Sequence, residues 1–116
     1  MGLRRSWWVS FFGLPHGLPG RLGVRVMPRA SRPFHEAIAA ELDFQPEDEL
    51  LDVGCGSGTL FVGHAGHVRH VAGLDASELQ LELARHRLAE RIAAGTAEIV
   101  QGDADHLPWE DDRFSV

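Results

Sequence analysis

The hydrophobic positions of this chain change period several times, and each change predicts an element. From Pro33 to Leu42, Phe34, Ile38 and Leu42 recur every fourth residue, with Pro33 at a first-turn position, so a helix is expected. Gln45-Pro46-Glu47-Asp48 ends it. Glu49 to Val53 is a short apolar run that closes on glycine and reads as a buried parallel strand. A glycine loop fills 54–58, after which Thr59 to Ala65 predicts a second helix stopped by Gly66. Val68 to Leu74 predicts a second strand ending on Asp75. Ser77 and Gln80 have the spacing of a capping box and open an amphipathic helix carrying Leu79, Leu83, Leu88 and Ile92 as far as Gly95. Ala97 to Gln101 predicts a third strand, 107–113 an acidic loop, and Phe114-Ser115-Val116 the start of a fourth strand, on which the chain ends.

Strand, glycine loop, helix and strand make a βαβ unit, so the expected class is α/β with a parallel sheet. Before it, Gly13, Pro15, Gly17, Pro19, Gly20, Gly23 and Pro28 stand too close together for a long element. The expected organisation is an irregular amino-terminal arm over 1–32 and one domain over 33–116. A length of 116 residues with 44% hydrophobic content suits a single small core.

Charge sharpens this division. The net charge of −6 hides six arginines and no acid in the first 35 residues, while the other five arginines share the rest with all 17 acids. A basic, aromatic arm could dock on a membrane surface or an acidic partner, but its glycine and proline breaks favour an arm that covers the domain or a substrate. The acidic body argues against nucleic acid as a partner. No apolar run reaches about 18 residues, so no integral membrane span is expected. Trp7 to Leu14 after Arg4 and Arg5 imitates a secretory signal, yet Pro15, His16 and Pro19 stand where a cleavage site would be. The single cysteine, Cys55, can form no internal disulfide, and a cytoplasmic location is expected. Lysine is absent, which excludes a Walker phosphate loop.

The chemistry concentrates in Asp52-Val53-Gly54-Cys55-Gly56-Ser57-Gly58, three alternate glycines between a strand and a helix. Glycine lets a cofactor approach the backbone, and N–H groups at a helix start can meet its polar end. The dinucleotide fingerprint fails here, because its third glycine would fall on Thr59, or on Phe61 if counted from Gly56. A nicotinamide oxidoreductase is disfavoured accordingly. Over "LLDVGCGSGTL" the chain instead resembles the first motif of the class I S-adenosylmethionine-dependent methyltransferases. Asp75 in "VAGLDAS" lies at the end of the second strand, where a carboxylate suits a ribose diol, although alone it could be a solvated loop acid or a helix starter. "GDADHLPWEDDRF", residues 102–114, is similar to the family's segment after the third strand.

The resemblance covers 33–116 and is nearest to the small-molecule methyltransferases of quinone and sterol modification. It implies a Rossmann-like class I methyltransferase fold, truncated after the third strand, with S-adenosyl-L-methionine as cofactor and a small molecule as methyl acceptor. By this resemblance Asp52 organises the loop and its amine contacts, Gly54 and Gly56 approach the methionine moiety through backbone atoms, and Cys55 is a small filler between them. Asp75, with Ala76 beside it, meets the ribose. Asp103 accepts from the adenine amino group, and the Ala104 backbone meets the adenine ring. No catalytic base can be named, and nothing marks Cys55 as an activated thiol. One departure stands out: Phe114-Ser115 replaces the family's frequent Phe-Asp, removing an acid that often orders that region.

Other features have plainer readings. His64, His67 and His70 fit no zinc spacing and are split by Gly66, so they read as surface histidines and no metal is expected. Phe34, His35 and Trp109 suit a site wall or lid, or simple packing. In the family's sheet order strand four lies beside strand one, so strand one would be an exposed edge that invites self-association. The alternative to an enzyme is therefore a non-enzymatic fragment or interaction module that retains the cofactor-binding scaffold.

Overall fold

The computed structural model describes residues 32–116. The arm expected over 1–32 lies outside the described residues except for Arg32, which opens helix α1, Arg32–Leu42. The order continues with β1 (Glu49–Val53), α2 (Thr59–His64), β2 (His70–Asp75), α3 (Glu78–Arg87), α4 (Ala89–Ala93) and β3 (Ala97–Gln101). The three strands form one parallel sheet in the order β1-β2-β3, with Glu49 opposite His70 and Val71 opposite Ala97. The α/β class and the parallel sheet expected from the βαβ pattern are thus present.

Residues 115–116 run along the free side of β1. Val116 N–H donates to the Glu49 carbonyl at 3.3 Å and Leu51 N–H donates to the Val116 carbonyl at 2.9 Å. That alternation is the ladder of a parallel pair, so the start of a fourth strand lies where the family order puts it. The outer edge of β1 is therefore partly occupied.

Alternation along the strands separates two sheet faces. Leu50, Val71 and Ala97 point toward α2 and α3 and join a core with Leu60, Phe61, Leu81 and Leu88. α1 closes one end of this core with Leu42 and, after the turn, Phe44, while Ile38 packs beside them. Asp43 ends α1 with φ 48, a left-handed geometry that a short polar side chain tolerates. The opposite face carries Glu49, His70 and Glu98 and is crossed by the segment after β3.

Two elements differ from expectation. β2 begins at His70, not Val68, because the Val68 and Arg69 N–H groups bond back to Ala65 and Pro46 before the ladder starts. The single helix expected from Ser77 to Gly95 is two, broken at Leu88 (φ −106). Leu88 is buried there and its Cδ1 stands 3.3 Å from where a Cβ of Gly58 would be, so packing against the glycine loop wins over helical continuity. The inward face is also rotated: Leu81, Ala84 and Leu88 are buried, Leu79 and Leu83 only partly, and Ile92 is exposed. Gly73 on β2 lets Cys55 and Phe61 sink onto the sheet.

Candidate functional site

The carboxyl ends of β1, β2 and β3 converge on one rim, and the residues assigned to the cofactor lie there, whereas Trp109 does not: its indole bonds Glu98 near the start of β3. β1 delivers Asp52, and the chain then turns through Gly54 (φ 84), Gly56 (φ 55) and Gly58 (φ 77) into α2. All three angles lie in the left-handed region, where a Cβ would be strained. Gly54 N–H and Cys55 N–H both donate to the Leu74 carbonyl, at 2.7 and 3.1 Å, which locks the start of the loop to β2.

Asp75 is the hub of the rim. Its Oδ2 accepts from Gly56 N–H at 2.9 Å and its Oδ1 from Ser77 N–H at 2.8 Å, so one carboxylate joins the glycine loop to the start of α3. Ser77 in turn caps α3 by accepting from Gln80 N–H at 3.4 Å, the half of the expected capping box that satisfies a helix-end donor. Each Asp75 oxygen keeps a further lone pair for a ligand.

Asp52 lies on the same face as Asp75, in register with Gly73. It is half-buried. Burial, with the nearby Asp75 carboxylate second, pushes its pKa up to about 7. The rim thus holds two acids whose mutual repulsion a cation would relieve.

Cys55 is buried and turns its thiol inward against Gly73, so only its backbone faces the rim. Burial, followed by the Asp52 and Asp75 charges, raises the thiol's pKa well above normal, the opposite of an activated nucleophile. Ala76 is exposed beside Asp75. Asp103 and Ala104 are exposed just past β3, where Gly102 N–H donates to the Asp75 carbonyl at 3.1 Å and Asp103 Oδ1 accepts from Asp105 N–H at 3.0 Å. Phe34 and His35 sit on α1 with ring centroids 6.1 Å apart. His67 Nε2 lies 2.7 Å from the Phe44 carbonyl, a packing role for the middle histidine of the three.

Residues 50–116 match the family model described as "Methyltransferase domain". This chain belongs to the methyltransferase domain family. The methyltransferase domain is 36% identical over 84 residues to a demethylmenaquinone methyltransferase of Symbiobacterium thermophilum, covering 70% of this chain and 34% of that protein. Its structure is similar to a crystal structure of an S-adenosylmethionine-dependent methyltransferase from Thiobacillus denitrificans in complex with S-adenosyl-L-homocysteine (31% identity, TM-score 0.50, 60% of this chain and 29% of that one). It is also similar to the crystal structure of a protein from Methanococcus maripaludis (26% identity, TM-score 0.62, 82% of this chain and 47% of that one). The fold is the Rossmann-like one of class I methyltransferases, and S-adenosylmethionine is the cofactor of the family. The chain spans about a third of the length of the curated relatives it matches.

Several residues that shape the rim of the methyltransferase domain were not legible as such. Arg87 reaches back from α3, and its Nη1 donates to Ser57 O, Ser57 Oγ and Thr59 Oγ1, each at 3.2 Å, bracing the exit of the glycine loop. Gln80 is buried with its amide under Gly56. Asp48 is fully buried below β1, accepting from Gln45 N–H at 2.8 Å and from Ser115 Oγ at 2.8 Å. Ser115 Oγ also accepts from Glu49 N–H at 3.0 Å, so the serine that replaces the frequent acid has its own ordering role. Asp48 directly precedes β1, and nothing local distinguishes it from the neighbouring acids Glu47 and Glu49. Nothing local marks Arg87.

Proposed function

We propose that this chain binds S-adenosyl-L-methionine at the rim and forms the cofactor-binding part of an enzyme that methylates a small molecule. The observation that carries the proposal is the convergence of Asp52, the glycine loop, Asp75 and Asp103 at the ends of three adjacent parallel strands. Ligands of open α/β sheets sit outside the carboxyl ends of the strands. The donor set also fits the group. The remaining lone pairs of Asp75 suit vicinal ribose hydroxyls, with Ala76 small and exposed beside it. Asp103 has a free oxygen for an exocyclic amine, and Ala104 offers backbone to the ring. Gly54 and Gly56 leave room for the methionine end, whose positive charges suit the Asp52–Asp75 pair.

The bound cofactor supplies a sulfonium methyl, transferred in line to an acceptor nucleophile. The residues of this chain hold and orient it, which is where such a reaction gains most of its rate. A small-molecule acceptor of quinone or sterol type is the class we favour, because relatives of this chain are named for demethylmenaquinone and for sterol methylation.

Calorimetric titration of S-adenosylmethionine and S-adenosylhomocysteine tests the proposal. Asp75→Ala and Asp103→Ala should each weaken binding about tenfold or more, the cost of a lost hydrogen bond to a charged group. Asp75→Ala also unties Gly56 and Ser77, so the exposed Asp103 gives the cleaner result. No binding heat from a chain whose circular dichroism shows it folded would sink the proposal and leave the scaffold-only reading.

A further inference from the structure

On the sheet face away from α2 and α3, the Glu98 carboxylate gathers three side chains. Trp109 donates its indole Nε1–H to Oε1 at 3.3 Å, while His70 Nε2 and Arg113 Nη2 stand 3.2 and 3.7 Å from Oε2. Arg113 reaches Glu49 Oε1 at 3.0 Å with its other amine and lies over the Phe114 ring, 4.9 Å from its centroid. Trp109 meets the same ring edge-on at 5.3 Å. Glu98 is near the start of β3 and Asp103 is past its end, so residues 102–113 run back down the sheet from the rim to this cluster.

The middle of the descending segment, 103–108, makes no hydrogen bond to another element among the described residues. Residues 103–108 are exposed, and the bonds of Asp105 N–H and His106 N–H to Asp103 are local. Its upper end is tied by Gly102 to Asp75, and its lower end by Trp109 and Arg113 to Glu98. A segment without regular structure keeps its path only if both ends are held.

We propose that Glu98 is a positioning residue for the adenine side of the cofactor site: by holding Trp109 and Arg113 it sets the path of 102–108 and with it the placement of Asp103 and Ala104. This rests on the cofactor reading above. Glu98 lies near the start of β3, away from the rim, and acts through the segment it anchors. Its two oxygens have separate work, one for the indole and one for the two bases, so substitutions can divide them.

The test compares S-adenosylhomocysteine with S-inosylhomocysteine, whose base lacks the amino group, by calorimetry on the full chain. Wild type should prefer the adenine compound. Glu98→Ala should lower affinity for it about tenfold and affinity for the inosine analogue much less, so that discrimination narrows. Trp109→Phe keeps the ring against Phe114, loses only the indole bond, and should weaken adenine binding about threefold; it carries the same test if Glu98→Ala fails to fold. The double variant should be no weaker than Glu98→Ala alone, because both act through one contact. Equal losses for the two ligands, or no loss for the adenine compound, would overturn the inference while leaving the cofactor reading intact. Absence of binding to wild type removes the cofactor reading, and the inference falls with it.

Discussion

The two faces of the sheet are held by different physics. The helix side is an apolar contact surface in which Leu50, Val71, Phe61, Leu81 and Leu88 are each at most 4% exposed, with Gly73 giving Cys55 and Phe61 room to approach. The other side is a polar clasp, in which Glu49, His70, Glu98 and Arg113 hold down a segment that has no strand or helix of its own. Close packing tolerates little change in volume, because a void or an overlap forfeits contacts in every direction. A half-exposed polar cluster tolerates change better, since water can replace a lost partner. The difference teaches which face fixes the fold and which adjusts the rim.

The largest effect should follow from breaking the packed face. A Cβ at Gly73 would stand 2.6 Å from Cys55 Sγ and 3.0 Å from both Cys55 Cβ and Phe61 Cε2. Gly73→Ala should therefore cost about 3 kcal/mol in urea unfolding, the upper range for overpacking. Adding Cys55→Ala should recover part of that loss, since it removes the nearer of the two sulfur-side contacts. Full tolerance of Gly73→Ala would mean that the helix face is looser than its burial suggests.

Next comes the Asp52–Asp75 pair at the rim. Asp52 binds its proton more tightly folded than unfolded, with a pKa of about 7 against an ordinary 3.8. The folded state therefore holds more protons between those values, and stability falls as pH rises from about 4 to 7 before levelling. Asp52→Asn should flatten that fall and raise the melting temperature at pH 8. In wild type, a cationic ligand should bind more tightly as pH rises through 7, and the variant should lose that dependence. Parallel melting curves for the two proteins across pH 4 to 8 would refute the assignment.

The clasp side should respond least. Ser115→Ala removes the hydroxyl between Asp48 Oδ1 and Glu49 N–H and should cost about 1 kcal/mol in thermal unfolding. Ser115→Asp, which restores the acid frequent in the family, should do worse, because it sets a second carboxylate against a buried one. A gain in stability from that aspartate would refute this reading.

The strands and the glycine loop were legible in the sequence because their signals are local: an apolar run bounded by glycine, a capping serine, and acids at strand ends. Glu49–Val53 and Ala97–Gln101 fall where the pattern put them. The helix after Ser77 was misjudged because four leucine and isoleucine positions imply a face of their own, whereas the real face sets Ala84 and Leu88 against Gly58, which belongs to another element. For the same reason Asp48, Arg87 and Glu98 stayed hidden. Each has a partner at least 11 residues away, and no spacing rule sees such a pair.

Asp75 binds Gly56 on one side and Ser77 on the other, and its carbonyl receives Gly102. Three segments that are far apart along the chain are thus hinged on one residue. Seen as a mechanism in the engineering sense, the rim has a common axle: the glycine loop, the start of α3 and the head of the descending segment cannot shift independently. A push on any one of them is delivered to the other two.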